Sequence, residues 1–241
     1  MSSRREQKEA LRRERERREA EAKSAQQRKR LVGIGGAVLI AAVALVLIIV
    51  VAAGGGDGGG GEGVRGDGDT FPSGGSVAEQ KVFDVQEAAT AAGCELDSNR
   101  ATSRDHTQSL DDKVRYRQNP PTSGKHFAVP AEDGLYNGTP PSDEELVHAL
   151  EHGRVIIWAK PSLPREARQT IRAIFDNDSF QLLVVSRPDM PFAVAATAWN
   201  ADPEPLGTGR TLGCPEWNAD VPDALRSFMD EHRSNGPEPI P

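Results

Sequence analysis

Five histidines, His106, His126, His148, His152 and His232, are the side chains of this chain best suited to proton transfer or metal binding. Two of them stand in His148-Ala149-Leu150-Glu151-His152, a spacing that on a helix puts both imidazoles one turn apart on the same face, where they can reach one metal ion. Leu146, Ala149 and Leu150 fall elsewhere around that helix. At about 100° per residue the histidine pair lies roughly 130° from this apolar stripe, so packing into a core does not explain it. Either the pair faces water or another segment covers it. The negative end of a helix dipole favours a protonated histidine by about 0.3–1 kcal/mol, which accounts for His152 without a metal but not for His148. The covering segment suggested by the sequence is Tyr116 to His126, where Pro120, Pro121 and Gly124 fix a turn that presents His126. The plainer alternative is an ordinary turn whose histidine is exposed. Three histidines and a water, or four with His106, suit Zn²⁺ or Cu²⁺, with Glu151 supporting the ligands or acting as a general base.

These residues need elements to hold them. Ser142-Asp143-Glu144-Glu145 has the form of a capping box, which starts a helix expected to run to His152 and to stop at Gly153, a residue that tolerates the left-handed conformation after a helix end. Val155 to Trp158 reads as a buried strand stopped by Pro161. Pro164 opens a second helix, with Ala167, Ile171, Ile174 and Phe175 on one face, ending around Asp176 to Asp178. Leu182 to Ser186 and Phe192 to Trp199 read as strands flanking the turn at 187–191, and Ala224, Leu225, Phe228 and Met229 mark a last helix. Helix, strand, helix, strand, strand, helix predicts an α+β fold, a small sheet with helices packed on it.

Composition divides the chain into four parts, with the fold confined to residues 77–241. Residues 1–30 carry 12 of the 29 Lys and Arg and 6 of the 36 Asp and Glu, with almost no aliphatic residue, which predicts a basic, solvated tail. Residues 31–53 carry no charge, and twenty-three residues at about 1.5 Å each span a hydrocarbon core of about 30 Å, which predicts a single transmembrane helix. Its length exceeds the usual apolar region of a cleaved signal peptide, although Val51-Ala52-Ala53 has the form of a cleavage site. Arg28, Lys29 and Arg30 flank it on one side only, so the N-terminus is expected in the cytoplasm and everything after Ala53 outside the cell membrane. Residues 54–76, rich in glycine, read as a flexible linker. Everything after residue 53, linker included, holds 17 basic against 30 acidic groups, which argues against nucleic acid as a partner and leaves the membrane and another envelope protein as the expected ones. Cys94 and Cys214 then lie in an oxidising compartment, without the Cys-x-x-Cys spacing of a redox pair, and are expected to form a structural disulfide.

Pro-Pro-Thr-Ser-Gly-Lys-His-Phe at 120–127, Gly-Leu-Tyr at 134–136 and Leu-Val-His-Ala-Leu-Glu-His-Gly-Arg-Val at 146–155, with Ala-Ala-Gly-Cys at 91–94, resemble a family of actinobacterial membrane-anchored proteins, the domain of unknown function 3105. The resemblance runs from about Phe83 to Pro239. It implies the architecture and location and no reaction, and it places His126, His148, Glu151 and His152 at motif positions. Lys125 stands where that family often has proline, which implies a looser turn and a cation beside a bound metal. His-x-x-Glu-His is also similar to the inverted motif of zinc proteases, in which glutamate activates water. Here Gly153 and a strand follow at once, which leaves no long helix to supply a further acidic ligand. The first reading is therefore an extracytoplasmic metal-binding or partner-binding module. A small hydrolase using His148 and His152 with Glu151 as base comes second, and a structural envelope domain third.

Overall fold

The structure, a computed structural model, describes residues 69–238. The basic tail, the transmembrane reading of 31–53 and the linker up to residue 68 lie outside them. Among the described residues no helix is long and apolar enough to cross a membrane.

The described chain is α+β, with four helices and one six-stranded sheet. Helix α1 (Val85–Ala92) starts at Asp84, whose carboxylate accepts from the amides of Gln86 and Glu87, and ends at Gly93 in the left-handed region. It leads into strand β1 (Glu95–Arg100). After two-residue strands β2 (His106–Thr107), β3 (His126–Phe127) and β4 (Gly134–Leu135) comes α2 (Asp143–Glu151). Then follow β5 (Val155–Ala159), α3 (Arg165–Asn177), β6 (Leu182–Ser186), β7 (Val194–Asn200), β8 (Thr208–Cys214) and α4 (Val221–His232).

The sheet runs β1-β8-β7-β5-β6-β4, antiparallel from β1 to β5 and parallel from β5 to β4. The β5-α3-β6 crossover explains the unbroken apolar runs in β5 and β6, because a parallel pair with helices on both faces has no side facing water. Alternate residues feed two cores. Val155, Ile157, Val184, Ala196 and Leu212 face α1, α3 and α4, whereas Ile156, Trp158, Leu183, Val185 and Trp199 face Leu146, Val147, Ala149 and Leu150 of α2. Burying Leu146 and Leu150 completely contributes about 1.5–3 kcal/mol each and fixes which side of α2 turns away from the sheet.

Two expectations shift. The packed chain begins ahead of Val77, because Phe71 is fully buried and Arg168 and Arg172 donate to the carbonyls of Thr70 and Phe71. A glycine-rich composition does not reveal a single aromatic anchor within it. The elements missing from the sequence reading are α1, β1, β8 and the three two-residue strands; β1 (Glu-Leu-Asp-Ser-Asn-Arg) is a polar edge strand with no apolar alternation to betray it. Cys94 and Cys214 are bonded to each other, across the β1–β8 pair at the end of a 120-residue separation.

Candidate metal centre

Helix α2 begins as its sequence indicates: Ser142 Oγ accepts from the Glu145 amide, and Glu145 Oε2 accepts from the Ser142 amide. With its apolar side held on the sheet, the opposite side carries His148, Glu151 and, at the helix end, His152. The two-stranded parallel sheet β2–β3 covers that side and pairs His106 with His126. The turn before His126 is neither loose nor exposed. Pro121, Thr122, Ser123 and Gly124 are buried, and a Cβ on Gly209 of β8 would run into the hydroxyls of Thr122 and Ser123, so the turn seats on the sheet. Tyr116 donates its hydroxyl proton to the Lys125 carbonyl at 2.7 Å, while the Lys125 side chain faces solvent.

His106, His126, His148 and Glu151 each offer a ligand atom, and these atoms lie within 4.8 Å of one another. Ring centroids are 4.6 Å apart for His106–His126, 4.9 Å for His106–His148 and 4.7 Å for His126–His148. His126 is fully buried, its ring meeting the edge of Trp199, and Glu151 is 1% exposed. His106, at 37%, is the solvent-facing member.

The hydrogen bonds fix which ring nitrogen faces inward. His126 Nδ1 lies 2.7 Å from the Gly124 carbonyl, and His148 Nδ1 lies 2.7 Å from the Phe127 carbonyl. A carbonyl only accepts, so each Nδ1 carries a proton and each Nε2 is the nitrogen turned toward the other donors, the arrangement by which carbonyls orient metal-bound imidazoles. Burial, reinforced by the charges of His126, His152 and His106, lowers the pKa of His148 to about 4 against the Phe127 hydrogen bond, so its ring is neutral at pH 7. Burial alone would raise Glu151. Its contacts with His126 and Arg104 outweigh that and bring its carboxyl to about 2, so it is ionised.

His126 Nε2 and Glu151 Oε2 lie 3.0 Å apart, both buried and neither aligned in a hydrogen bond. Two buried polar atoms left in this way cost about 1–3 kcal/mol each, and an imidazole nitrogen this close to a carboxylate calls for a positive charge, a proton or a metal ion, between or beside them. Four ligands at bond lengths of about 2.0–2.1 Å on a tetrahedron are about 3.3 Å apart. His106 Nε2, 3.9 Å from Glu151 Oε2, has to close in to complete such a set, and its exposure gives it room.

The expected ligand set changes in one place. His152 stands outside the donor group and Glu151 stands inside it. The rings of His148 and His152 stack at 4.5 Å with 25° between planes, so spacing by one turn lays them face to face instead of aiming both at one point. His152 Nδ1 donates to the Glu238 carbonyl at 3.1 Å, and burial lowers its pKa. Glu151, one turn on from His148 at i,i+3, takes the inward position.

Sequence reasoning missed two supports. Arg104 Nε donates to Glu151 Oε1 at 2.6 Å, and Arg104 Nη2 lies 3.4 Å from Glu238 Oε2. Arg104-Asp105-His106 was the available signal, a cation two residues from a histidine. The other support is the tail at 234–238, which crosses the end of α2 through bonds from the Ser234 amide to Gly153 and from the Glu238 amide to Glu151. Gly153 has φ +82, and the backbone of Ser234 and Gly236 approaches to 3.1 Å of where its Cβ would be, so both conformation and space require glycine. His232 is elsewhere, edge-on to Phe228.

No curated protein and no solved structure matches this chain. The sequence model of one family, described as protein of unknown function (DUF3105), matches residues 106–240, which begins at His106 and takes in the whole donor group. By that match, over more than half of its length, the chain belongs to the DUF3105 family.

Proposed function

We propose that this chain is a single-pass membrane protein whose extracytoplasmic domain holds one divalent transition-metal ion, zinc or copper, at His106, His126, His148 and Glu151. The observation that carries the reading is the pair of buried, unpartnered atoms His126 Nε2 and Glu151 Oε2 at 3.0 Å, with two further imidazoles converging on them. Imidazole and carboxylate donors without thiolate or thioether suit Zn²⁺ or Cu²⁺ and not Cu⁺. Four protein donors fill a tetrahedral site, which supports binding over catalysis. Glu151 does not suit the general-base role in this reading: Oε1 accepts from Arg104, Oε2 is given to the metal, and the side chain is 1% exposed to water. The charge-free span 31–53 with its one-sided Arg28-Lys29-Arg30 flank supports the anchor and its orientation. The acidic remainder supports an envelope protein as partner and not nucleic acid.

Elemental analysis of the full chain, purified without a histidine tag and equilibrated with zinc or copper, tests the site. About one equivalent should remain after gel filtration, and a chain carrying no metal above background would sink the reading. A reporter fused at residue 76 that works only in the cytoplasm would overturn the orientation.

A further inference from the structure

Glu151 has two oxygens in different circumstances. Oε1 is held by Arg104 Nε at 2.6 Å, whereas Oε2 has no hydrogen bond and faces His126 Nε2 at 3.0 Å and His106 Nε2 at 3.9 Å. A carboxylate left to itself can give a metal either one oxygen or both. An oxygen accepting a charge-assisted hydrogen bond from a guanidinium has a lone pair engaged by that cation and is the poorer of the two oxygens as a donor to a metal. Arg104 is in turn held by Glu238, in the tail that crosses the end of α2. Its guanidinium is therefore fixed from two sides, and the carboxylate of Glu151, at 1% exposure, has no room to exchange its oxygens with water.

We propose that Arg104 is a positioning residue that restricts Glu151 to one oxygen toward the metal, and so keeps the centre four-coordinate. This rests on the metal reading above. Without Arg104, Oε1 is freed, the carboxylate swings to chelate, and the centre becomes five-coordinate. Arg104→Lys restores a cationic donor to Oε1 but not the guanidinium fork, and keeps most of the four-coordinate character.

Cobalt(II) added to the full chain reports coordination number directly, because its visible bands are several-fold more intense in a tetrahedral than in a five-coordinate field. The wild-type chain should give the intense spectrum. Arg104→Ala should lower its intensity at least two-fold, and Arg104→Lys should recover most of it. In a Glu151→Gln background, which has no second carboxylate oxygen, adding Arg104→Ala should change nothing. An Arg104→Ala spectrum identical to wild type overturns the proposal, as does an equal change with and without Glu151→Gln. A wild-type chain that takes up no cobalt overturns the metal reading and this inference with it, whereas the first two outcomes leave the metal reading standing.

Discussion

Arg187 grips Asp143 with two nitrogens, Nη1 to Oδ1 at 2.6 Å and Nη2 to Oδ2 at 3.0 Å. Asp143 is the first residue of α2, and Arg187 follows β6, so the pair ties the start of the site helix to the sheet. The same guanidinium donates through Nε to Asn119 Oδ1 and lies over Trp158, 5.3 Å from the ring centroid. Three segments, α2, the turn that carries His126 and the sheet, thus meet on one planar cation. Arg187→Ala should lower unfolding stability by about 2–3 kcal/mol, since it breaks charge-assisted bonds at a half-buried position. Arg187→Lys should recover less than half of that, because an ammonium has no fork to match both carboxylate oxygens. Urea denaturation of the three proteins checks both figures, and a lysine variant as stable as wild type would show that the charge alone matters.

Metal retention should sort the histidines by geometry. His126→Ala and His148→Ala remove ligands whose Nδ1 protons are committed to carbonyls, and each should lower affinity by at least 100-fold. His106→Ala should cost less, because water can take the place of a solvent-facing ligand. His152→Ala removes a stacked ring and the Glu238 bond but no donor, and should cost no more than about 10-fold. Competition with a chelator measures all four, and a loss at His152 equal to that at His148 would return His152 to the ligand set.

The contrast between His148 and His152 shows where sequence stops being informative. Helical spacing places both on one face, and the capping box and Gly153 locate that helix to within a residue, since these signals are local. Ring direction depends on what each Nδ1 meets, and the acceptors, Phe127 and Glu238, are 21 and 86 residues away. Arg104 reaches Glu151 across 47 residues for the same reason. The apolar runs of β5 and β6 were legible because both their faces are buried. Strand β1 was not, because an edge strand half in water needs only backbone pairing with β8.

Phe71 places the domain's start earlier than its composition suggests. Its side chain is fully buried in the core beside α3, and its amide donates to Asn137 Oδ1 at 2.8 Å. Phe71→Ala should destabilise the domain by about 3–5 kcal/mol. A fragment starting at Val77 should lose at least as much relative to one starting at Asp69. Equal urea midpoints for the two fragments would show that the docked segment contributes nothing.

His232 gives the stability a pH dependence independent of the metal centre. Burial, helped by the charge of Arg210, lowers its pKa from 6.5 to about 4, so the folded ring is neutral where the unfolded chain would bind a proton. The folded pKa is the lower one, so stability is complete above about 6.5, falls as pH drops from there towards 4, and levels off below. Between pH 7 and pH 5 this amounts to about 1–2 kcal/mol for a group shifted this far. His232→Leu keeps an apolar partner against Phe228 and removes the proton. Unfolding followed in chelator, to keep the centre metal-free in both proteins, should show the wild type losing about 1–2 kcal/mol more than the variant over that interval. Parallel pH profiles for the two would mean that the imidazole of His232 takes up its proton without disturbing the packing around Phe228.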